Sequence, residues 1–586
     1  MRKKLLWTVT VVMAILAQSN LHAQNIAGDW QGTLKAAGEE TRLLLHIDKS
    51  DAGWSAVLYD LGDSSSVPVT SIFIQGTAFK FAIDAFHASY QGKLSANGAT
   101  ITGSWTEGND SPKPLDFQRA TKETAWPLPD PNWGHKQVKV DAKIFDEYAG
   151  RYRFGPSLIL SIVREGDHLY TQAPGQPRFE LFPVSEKEYF ARIAHLEVKF
   201  VSDASGTVTG MMVHQGSRDT LAKRIIAPTL AAVNAKSAAI DSMIAADFAK
   251  HPNGSVTAGV VYGNQLVWTK SYGNADVEKK LPADKDTVYR IGSITKMFTA
   301  VMLEQLVDTG KVHLSDPVEK YFPEINTVQG RFPNAPPITL IQLANHTSGL
   351  GREPADIEKF VHGAVAEWDK TLIAALPHTR YALEPGTRFS YSNIGFAVLG
   401  AALARASGQP YLDYVPKQIF EPLGMAHTSL IQTPALLQHL AKGYEVSSAG
   451  KLDAETAQRE SENGRGYKVP NGAIYTTVGD LARFCSFLLG QGPESALKAA
   501  ILERNLTQSA VQADFQLSDG YTLGGQVMRR DNYIAFGHSG GVAGYQAGLY
   551  LNRDANVAVI VLANEIGADT VDTSDLALKA LDLLSK

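Results

Sequence analysis

The residues of this chain best suited to covalent chemistry are a serine and a lysine three positions apart, in Ser293-Ile-Thr-Lys296. Apolar residues at helical spacing follow them, so the stretch predicts a turn and then a long helix that ends before Gly310. Residues three apart share a helix face, where an amine can take the proton of a hydroxyl nucleophile. The N-terminal end of a helix also favours the negative charge that develops in such a reaction.

The Ser-x-x-Lys spacing is not specific by itself. The chain contains it again at Ser448-Ala-Gly-Lys451 and Ser495-Ala-Leu-Lys498. An isolated match is more often a serine at a helix start followed by a surface lysine than a catalytic pair. The hypothesis for Ser293 therefore depends on what else the chain supplies.

Two other short motifs follow Ser293, namely Tyr391-Ser-Asn393 and His538-Ser-Gly540. Each is common, because a lone Tyr-x-Asn usually marks a turn and a lone His-x-Gly the end of a surface strand. The same patterns recur at Tyr262-Gly-Asn264, Tyr272-Gly-Asn274 and His214-Gln-Gly216. The order of the first two after Ser293, and the sequence around them, distinguish them from these repeats.

With the three motifs in this order, the chain from about Thr229 to its C terminus resembles the serine β-lactamase and penicillin-binding-protein superfamily. The likeness is to class C β-lactamases and their esterase and D-aminopeptidase relatives. It extends over longer segments at 298–317, 338–350, 419–425 and 538–564. The resemblance implies an α/β domain with an antiparallel sheet flanked by helices, a helical lobe, and a site in the cleft between them.

The resemblance also implies a role for each motif residue. Ser293 would be acylated, and Lys296 would hydrogen-bond it and accept or relay its proton. Tyr391 would pass that proton to the leaving group and then activate the deacylating water. A nearby cation favours the tyrosinate form of Tyr391 and desolvation opposes it, so its charge state stays open at this point. Asn393 would position the substrate and Lys296.

The strand that carries the third motif would complete the site. The backbone N–H groups of Ser293 and Gly541 would form the oxyanion hole, a type of donor that contributes roughly 3–4 kcal/mol to acyl transfer. His538 and Gly540 would contact the substrate. No metal or other cofactor is implied, and the histidines lack the His-Glu-x-x-His spacing of a zinc site.

His538 departs from dedicated β-lactamases and DD-peptidases, which usually have a lysine there that helps bind a substrate carboxylate. An unperturbed histidine is mostly neutral at pH 7, and the variant resembles the esterase and D-aminopeptidase branch. We therefore expect an exported serine hydrolase that forms an acyl-enzyme on Ser293 and cleaves a small ester, amide or D-amino-acid-containing peptide. The alternative is a β-lactamase, or a penicillin-binding sensor or DD-peptidase with slow or no deacylation. Cell-wall fragments are further candidate ligands.

The elements that must position these residues follow two β-rich regions, so we predict a multidomain chain with two N-terminal all-β domains. Residues 26–120 predict a β barrel or sandwich, residues 121–140 a proline-rich linker, and residues 141–226 an accessory β domain. Residues 229–586 are the predicted hydrolase domain, which opens with one helix over 229–250 and a hairpin at Gly263-Asn264. The hairpin and the last strands predict one antiparallel sheet, covered by the first and last helices.

The composition argues against nucleic-acid binding, and the N-terminal residues indicate export. The 586 residues are 44% hydrophobic and 20% charged with a net charge of -5, so no basic surface for nucleic acid is indicated. Cys485, the single cysteine, lies in a helical pattern that predicts a buried structural thiol. Residues 1–23 have the basic start, apolar run and terminal Ala23 of a cleaved signal peptide. We expect a secreted or periplasmic protein without a stable membrane anchor, an uncleaved anchor being the alternative.

Overall fold

A computed structural model describes residues 26–585 apart from short internal segments. The segments outside the description are 37–38, 51–52, 63–64, 70, 84–87, 108–110, 128–129, 131, 155–158, 173–178, 193–195, 216–217, 334, 494, 498–510, 513–518 and 531–532. The predicted signal peptide, part of the proline-rich linker and Lys498 also lie outside the described residues. The chain divides into two compact units, the second built mainly from the residues after Lys223. Within the described part, no helix is long and apolar enough to cross a membrane.

The N-terminal region is rich in strands, as its alternating patterns predict. Ten strands form one antiparallel sheet, whose core contains the buried Trp30 and Trp105. The strand Gly28–Ala36 pairs with both the second strand and the last, so the two ends of the region are held together. In sheet order the strands are Ser65–Pro68, Gly53–Asp60, Glu39–Ser50, Gly28–Ala36, Phe117–Arg119, Thr100–Glu107, Ala88–Leu94, Ala78–Ile83 and Ser71–Gln75, with Lys113–Pro114 paired to Thr100–Glu107.

A second set of eight strands closes into a barrel. Its strands are Gly150–Arg153, Ile159–Glu165, His168–Gln172, Phe179–Pro183, Glu188–Ala191, Leu196–Ser202, Val208–Gln215 and Arg218–Arg224. The described residues of 121–140, which lie between the two sets in the chain, contain neither helix nor strand. The division of this region into two separate domains stays a prediction.

The antiparallel sheet predicted for residues 229–586 is present and has nine strands. Ser255–Tyr262 pairs with Gln265–Asp276 on one side and with Val557–Ala563 on the other, so the early hairpin joins the late strands. In sheet order the strands are Leu281–Pro282, Gln265–Asp276, Ser255–Tyr262, Val557–Ala563, Tyr545–Asn552, Ile534–Val542, Gln526–Arg529, Asp519–Tyr521 and Val511–Gln512. Two small sheets join Tyr289–Arg290 to Tyr475–Thr476, and Tyr444–Val446 to Leu452–Asp453 and Glu565–Gly567.

Most helices lie between the early hairpin and the late strands. The α-helices of the described residues are Ile144–Tyr148, Leu230–Ala235, Ser237–Phe248, Thr295–Asp308, Leu340–Ala344, Trp368–Ala375, Asn393–Ser407, Tyr411–Val415, Pro434–Leu437, Glu455–Asn463, Val469–Gly472, Val478–Ser486 and Thr573–Leu584. Short 3-10 turns include Gly292–Ile294, Val318–Lys320, Pro323–Thr327, Ile357–Lys359, Val365–Glu367 and Leu376–His378, and π-helical turns cover Pro416–Phe420 and Phe487–Gln491.

The two faces of the nine-stranded sheet belong to different cores, because successive strand residues point to opposite faces. Val559 packs in a cluster with Ile240 and Leu576, which come from the helices Ser237–Phe248 and Thr573–Leu584. The next strand residue, Ile560, packs in a larger cluster with residues of the helices Thr295–Asp308 and Asn393–Ser407. The candidate site is built on this second face.

The prediction of a single helix over 229–250 is wrong. The segment forms two helices, Leu230–Ala235 and Ser237–Phe248, which meet at Lys236. Thr229 caps the first, since its side-chain oxygen accepts a hydrogen bond from Ala232 N at 3.2 Å. Lys236 Nζ donates to the Leu583 carbonyl at 2.6 Å, which ties the break to the C-terminal helix.

Candidate active site

Ser293 lies in the 3-10 turn Gly292–Ile294, which runs directly into the helix Thr295–Asp308. The α-helix therefore begins two residues later than the position of Ser293 predicts. Gly292 has a φ of +48°, and a Cβ at this position would lie 2.8 Å from Gly541 N. Glycine accepts both this conformation and this close approach, so Gly292 holds Ser293 beside the strand that carries Gly541.

Lys296 Nζ has three oxygen neighbours. It lies 3.0 Å from Ser293 Oγ, 2.9 Å from Asn393 Oδ1 and 3.1 Å from the Asn471 carbonyl oxygen. All three oxygens can accept a hydrogen bond from Nζ, so the three N–H groups of an ammonium fit them. A neutral amine fits them as well, because its two hydrogens can serve the two carbonyl oxygens while its lone pair accepts from the Ser293 hydroxyl.

The burial of Lys296 favours that neutral form. Its side chain is fully buried, and the loss of solvation lowers its pKa well below the ordinary value of 10.5. Glu353 opposes this shift and the nearby arginine and lysine side chains reinforce it. Because desolvation penalises the charged form, Lys296 is poised to accept the Ser293 proton.

Tyr391 and Asn393 flank the start of the helix Asn393–Ser407. Ser392 caps this helix, because its Oγ accepts a hydrogen bond from Gly395 N at 3.0 Å. The Tyr391 hydroxyl hydrogen-bonds Ser293, and desolvation raises the pKa of Tyr391 to about 12. Desolvation thus outweighs the neighbouring positive charge, and Tyr391 is a neutral phenol at physiological pH.

Glu353, which sequence reasoning missed, organises the layer behind Lys296. Its Oε1 accepts a hydrogen bond from Asn393 Nδ2 at 2.7 Å and lies 3.2 Å from Lys468 Nζ. Its Oε2 accepts a hydrogen bond from the Tyr467 hydroxyl. Because the Asn393 amide nitrogen is bonded to Glu353, the amide oxygen faces Lys296. In the sequence, the only indication of a role for Glu353 was that it lies three residues after the family-like segment 338–350.

His346 was also missed, although it lies within the segment 338–350. It is fully buried, and its ring centre lies 4.1 Å from that of Tyr391. Its Nδ1 accepts the backbone N–H of Ser392 at 3.0 Å, and burial lowers its pKa well below 6.5. His346 therefore supports the Tyr391–Asn393 segment as a neutral ring.

His538 lies on the strand Ile534–Val542 and is 2% exposed. Burial, with a smaller effect of Lys296, lowers its pKa to about 3. Its Nδ1 donates to the Ser539 carbonyl, and its Nε2 accepts a hydrogen bond from the Tyr521 hydroxyl at 2.9 Å. These partners fix the tautomer. We expected His538 to contact the substrate, but the one N–H of its neutral ring is bonded to the backbone.

Gly540 and Gly541 bring the same strand against the Ser293 turn. A Cβ on Gly540 would lie 2.0 Å from the Ile291 carbonyl oxygen and 3.2 Å from Ser293 N. Gly540 is therefore placed by close packing against the turn. Gly541 lies beside Ser293 in the wall of a pocket, where two backbone N–H groups can serve one oxyanion.

The pocket has a volume of about 540 Å³. The structure thus brings together Ser293, Tyr391, His538 and Gly541 in its wall, with Lys296 and Asn393 bonded behind them. Its described lining residues are Ser293, Arg352, Phe389, Tyr391, Gly520, Tyr521, Gln526, Val527, Met528, His538, Ser539 and Gly541. Neutral groups surround Ser293, and Arg352 adds a cation that sequence reasoning did not identify.

Residues 240–583 match the protein family described as "Beta-lactamase". Residues 135–224 match a second family, described as a domain of unknown function, DUF3471. The first match covers more than half of the chain and contains every predicted site residue. The second contains all eight strands of the barrel.

Individual relatives are similar over part of their length. Beta-lactamase-like protein 2 of Dictyostelium discoideum is 30% identical over 319 residues, which are 52% of this chain and 55% of that protein. The D-alanyl-D-alanine-carboxypeptidase/endopeptidase AmpH of Escherichia coli (strain K12) is 34% identical over 229 residues, which are 38% of this chain and 54% of that protein. The chain thus spans about half the length of these curated relatives.

Among solved structures, the octameric penicillin-binding protein homologue from Pyrococcus abyssi superimposes with a TM-score of 0.51 and 26% identity. The match covers 59% of this chain and 77% of that one. At this score the two chains share a similar fold over the matched part.

Proposed function

This chain belongs to the serine β-lactamase and penicillin-binding-protein superfamily and is a serine hydrolase of that family. We propose that Ser293 is the nucleophile that the substrate acylates. The observation that carries the proposal is the 3.0 Å contact between Ser293 Oγ and the buried Lys296 Nζ. An amine whose pKa has been lowered by burial is a suitable base for a serine hydroxyl. Tyr391 places a proton donor at the same oxygen.

Acylation then proceeds through these three side chains. The Ser293 O–H bond breaks, its proton passes to Lys296 Nζ, and Oγ bonds to the substrate carbonyl carbon. The oxyanion that forms faces the backbone N–H groups of Ser293 and Gly541. The bond from that carbon to the leaving nitrogen or oxygen breaks next. Tyr391 gives its proton to the leaving atom and is reprotonated by Lys296.

Deacylation uses the same groups. A water molecule attacks the Ser293 ester carbon, and its proton passes through Tyr391 and Lys296 to Ser293 Oγ. The ester bond breaks, the acid leaves, and the neutral serine and lysine are restored. Ser293 Oγ is in hydrogen-bond contact with both Lys296 Nζ and the Tyr391 hydroxyl, and Lys296 Nζ lies 4.9 Å from the centre of the Tyr391 ring, so the three groups that exchange protons are adjacent.

The proposed substrates are small esters, amides and peptides that contain D-amino acids. The name of the E. coli relative, a D-alanyl-D-alanine carboxypeptidase/endopeptidase, supports the peptide class. The pocket of about 540 Å³ is in the size range that takes a small ligand. The neutral His538, in the position of the usual lysine, argues against rapid β-lactam turnover.

The second candidate is a penicillin-binding protein that is acylated but deacylates slowly or not at all. The observation that favours it is the Tyr391 pKa of about 12, because a phenol that holds its proton so firmly is a poor activator of water near pH 7. The two candidates share the acyl-enzyme and differ only in its lifetime.

A hydrolysis screen tests the proposal. Full-length protein is assayed with nitrophenyl esters, D-alanyl amides and a chromogenic cephalosporin, with Lys296→Ala as the inactive control. We expect ester or D-alanyl amide turnover that exceeds cephalosporin turnover and is lost in the control. Rapid cephalosporin turnover with no ester or amide activity would reject the proposed substrate class.

We further propose that the enzyme acts outside the cytoplasm. The basic and apolar pattern of residues 1–23 supports export. We also propose that two separate all-β domains precede the hydrolase domain. Cell fractionation with and without residues 1–23 tests the location, and retention of the intact chain in the cytoplasm would reject it.

A further inference from the structure

Arg352 lines the same pocket as Ser293 and Tyr391, and its side chain is exposed. The centre of its guanidinium lies 4.8 Å from the centre of the Tyr391 ring, within the range of a cation–π contact. Its backbone is fixed, because the Arg352 carbonyl accepts hydrogen bonds from Asn393 N at 2.9 Å and Ile394 N at 3.4 Å. The guanidinium is therefore held beside Tyr391 by the same helix start that positions Asn393.

The charge of Arg352 is available to a ligand. No carboxylate of the described residues pairs with it, and the adjacent Glu353 is bonded to Asn393, Tyr467 and Lys468 instead. Arginine side chains are permanent cations in proteins. Among the pocket-lining residues that the structure describes, Arg352 alone carries a full charge, since His538 is neutral.

His538 cannot take the carboxylate-binding role that a lysine has at its position. Its pKa of about 3 leaves it uncharged, and its one N–H is bonded to the Ser539 carbonyl. Its other ring nitrogen is occupied by Tyr521. An anionic substrate group in this pocket therefore finds its counter-charge at Arg352, which lies against Tyr391, and not at the expected strand motif.

We infer that Arg352 binds a carboxylate on the leaving group of the substrate, an inference that rests on the proposed function of Ser293. Tyr391 gives its proton to the leaving atom in the proposed mechanism, and the Arg352 guanidinium lies 4.8 Å from the centre of the ring of this same proton donor. A guanidinium pairs with a carboxylate through two parallel N–H···O bonds. The substrate class is thus an acylated peptide whose C-terminal amino acid leaves as its scissile C–N bond breaks and its nitrogen takes the Tyr391 proton.

The test uses two ligands that differ only in charge, N-acetyl-D-alanyl-D-alanine and its C-terminal carboxamide. Four full-length proteins are compared: wild type, Arg352→Gln, Arg352→Lys and Arg388→Gln. Arg388 is the matched control, because it is an exposed arginine next to the pocket residue Phe389 but is not part of the pocket wall. Two quantities are measured, kcat/KM for each ligand and its protection of Ser293 from a fluorophosphonate. The second reports binding without turnover.

We expect the wild type to prefer the free acid and Arg352→Gln to reduce that preference about 10- to 100-fold, the range for hydrogen bonds to charged groups. Arg352→Lys keeps part of the preference, because it retains the charge but not the planar fork, and Arg388→Gln keeps all of it. The inference is overturned if Arg352→Gln keeps the wild-type preference, if Arg388→Gln loses it equally, or if the wild type does not distinguish the two ligands. Failure of the fluorophosphonate to label wild-type Ser293 would instead reject the proposed nucleophile.

Discussion

Glu353 Oε1 accepts a hydrogen bond from Asn393 Nδ2 at 2.7 Å, and Asn393 Oδ1 in turn accepts one from Lys296 Nζ at 2.9 Å. The carboxylate thereby determines which end of the amide faces the lysine. It also raises the Lys296 pKa, against the larger lowering by burial. Glu353 is thus a positioning residue that acts on the proposed base through Asn393 and through its charge.

Glu353→Gln is expected to lower kcat/KM for a neutral ester about tenfold, because Tyr467 and Lys468 lose the charged acceptor that they share. It should also move the acidic limb of the pH profile to lower pH, since loss of a nearby negative charge favours the neutral amine. Glu358→Gln removes an exposed carboxylate from the same loop and serves as the control. An unshifted limb in Glu353→Gln would contradict the electrostatic role.

The pH dependence of kcat/KM reports on Lys296. Activity should rise with pH as Lys296 loses its proton, at a pH well below 10.5, and then stay level to about pH 10. His538 and Tyr391, with pKa values of about 3 and about 12, titrate outside this interval. The measurement uses a nitrophenyl ester and subtracts its spontaneous hydrolysis. A limb near pH 10.5, typical of an exposed lysine, would show that burial does not tune the base.

Gly540 sets the distance between the strand Ile534–Val542 and the Ser293 turn. Gly540→Ala would place a methyl group 2.0 Å from the Ile291 carbonyl oxygen, so the strand or the turn must move. We expect kcat/KM to fall about 100-fold, the effect of a displacement of roughly 1 Å at a reacting group. Gly541→Ala meets only the Ile566 side chain, at 3.3 Å, and should cost less. Equal losses in the two variants would argue against this spacing role.

Glu565 gives the fold a pH-dependent stability. It is fully buried, and burial raises its pKa from 4.5 to about 7. Between these values the folded state holds a proton that the unfolded state has lost, so stability falls as pH rises through this window, by about 1.4 kcal/mol per pH unit. Glu565→Gln should flatten the dependence of the unfolding temperature on pH from 5 to 7. Parallel curves for wild type and variant would contradict this.

Much of the fold followed from local patterns in the sequence. The hairpin at Gly263 and the apolar run Val557–Ala563 predicted the central strands, because β-rich alternation and glycine turns act over short distances. The break between two helices at Lys236 could not be predicted from local patterns, because the contact that stabilises it is with the Leu583 carbonyl, far along the chain. The helix start was displaced for a similar reason, because Gly292 packs against Gly541.

The site divides in the same way. Ser293, Lys296, Tyr391 and Asn393 were predicted from short motifs, and the structure brings them into contact. Glu353 and Arg352 belong to no short motif, so residue spacing could not identify them. The roles proposed for them depend on the residues that the fold brings next to them. The protonation state of His538 depends on its burial and its tautomer on the contact with Tyr521, so neither could be read from the sequence.

The central claim is that Ser293 is the residue acylated. Intact-mass measurement of the full-length protein after incubation with a fluorophosphonate, followed by peptide mapping, tests it most directly. We predict one adduct per chain, located on Ser293, and none in Ser293→Ala, which should also lack turnover. An adduct or turnover that persists in Ser293→Ala would contradict the claim.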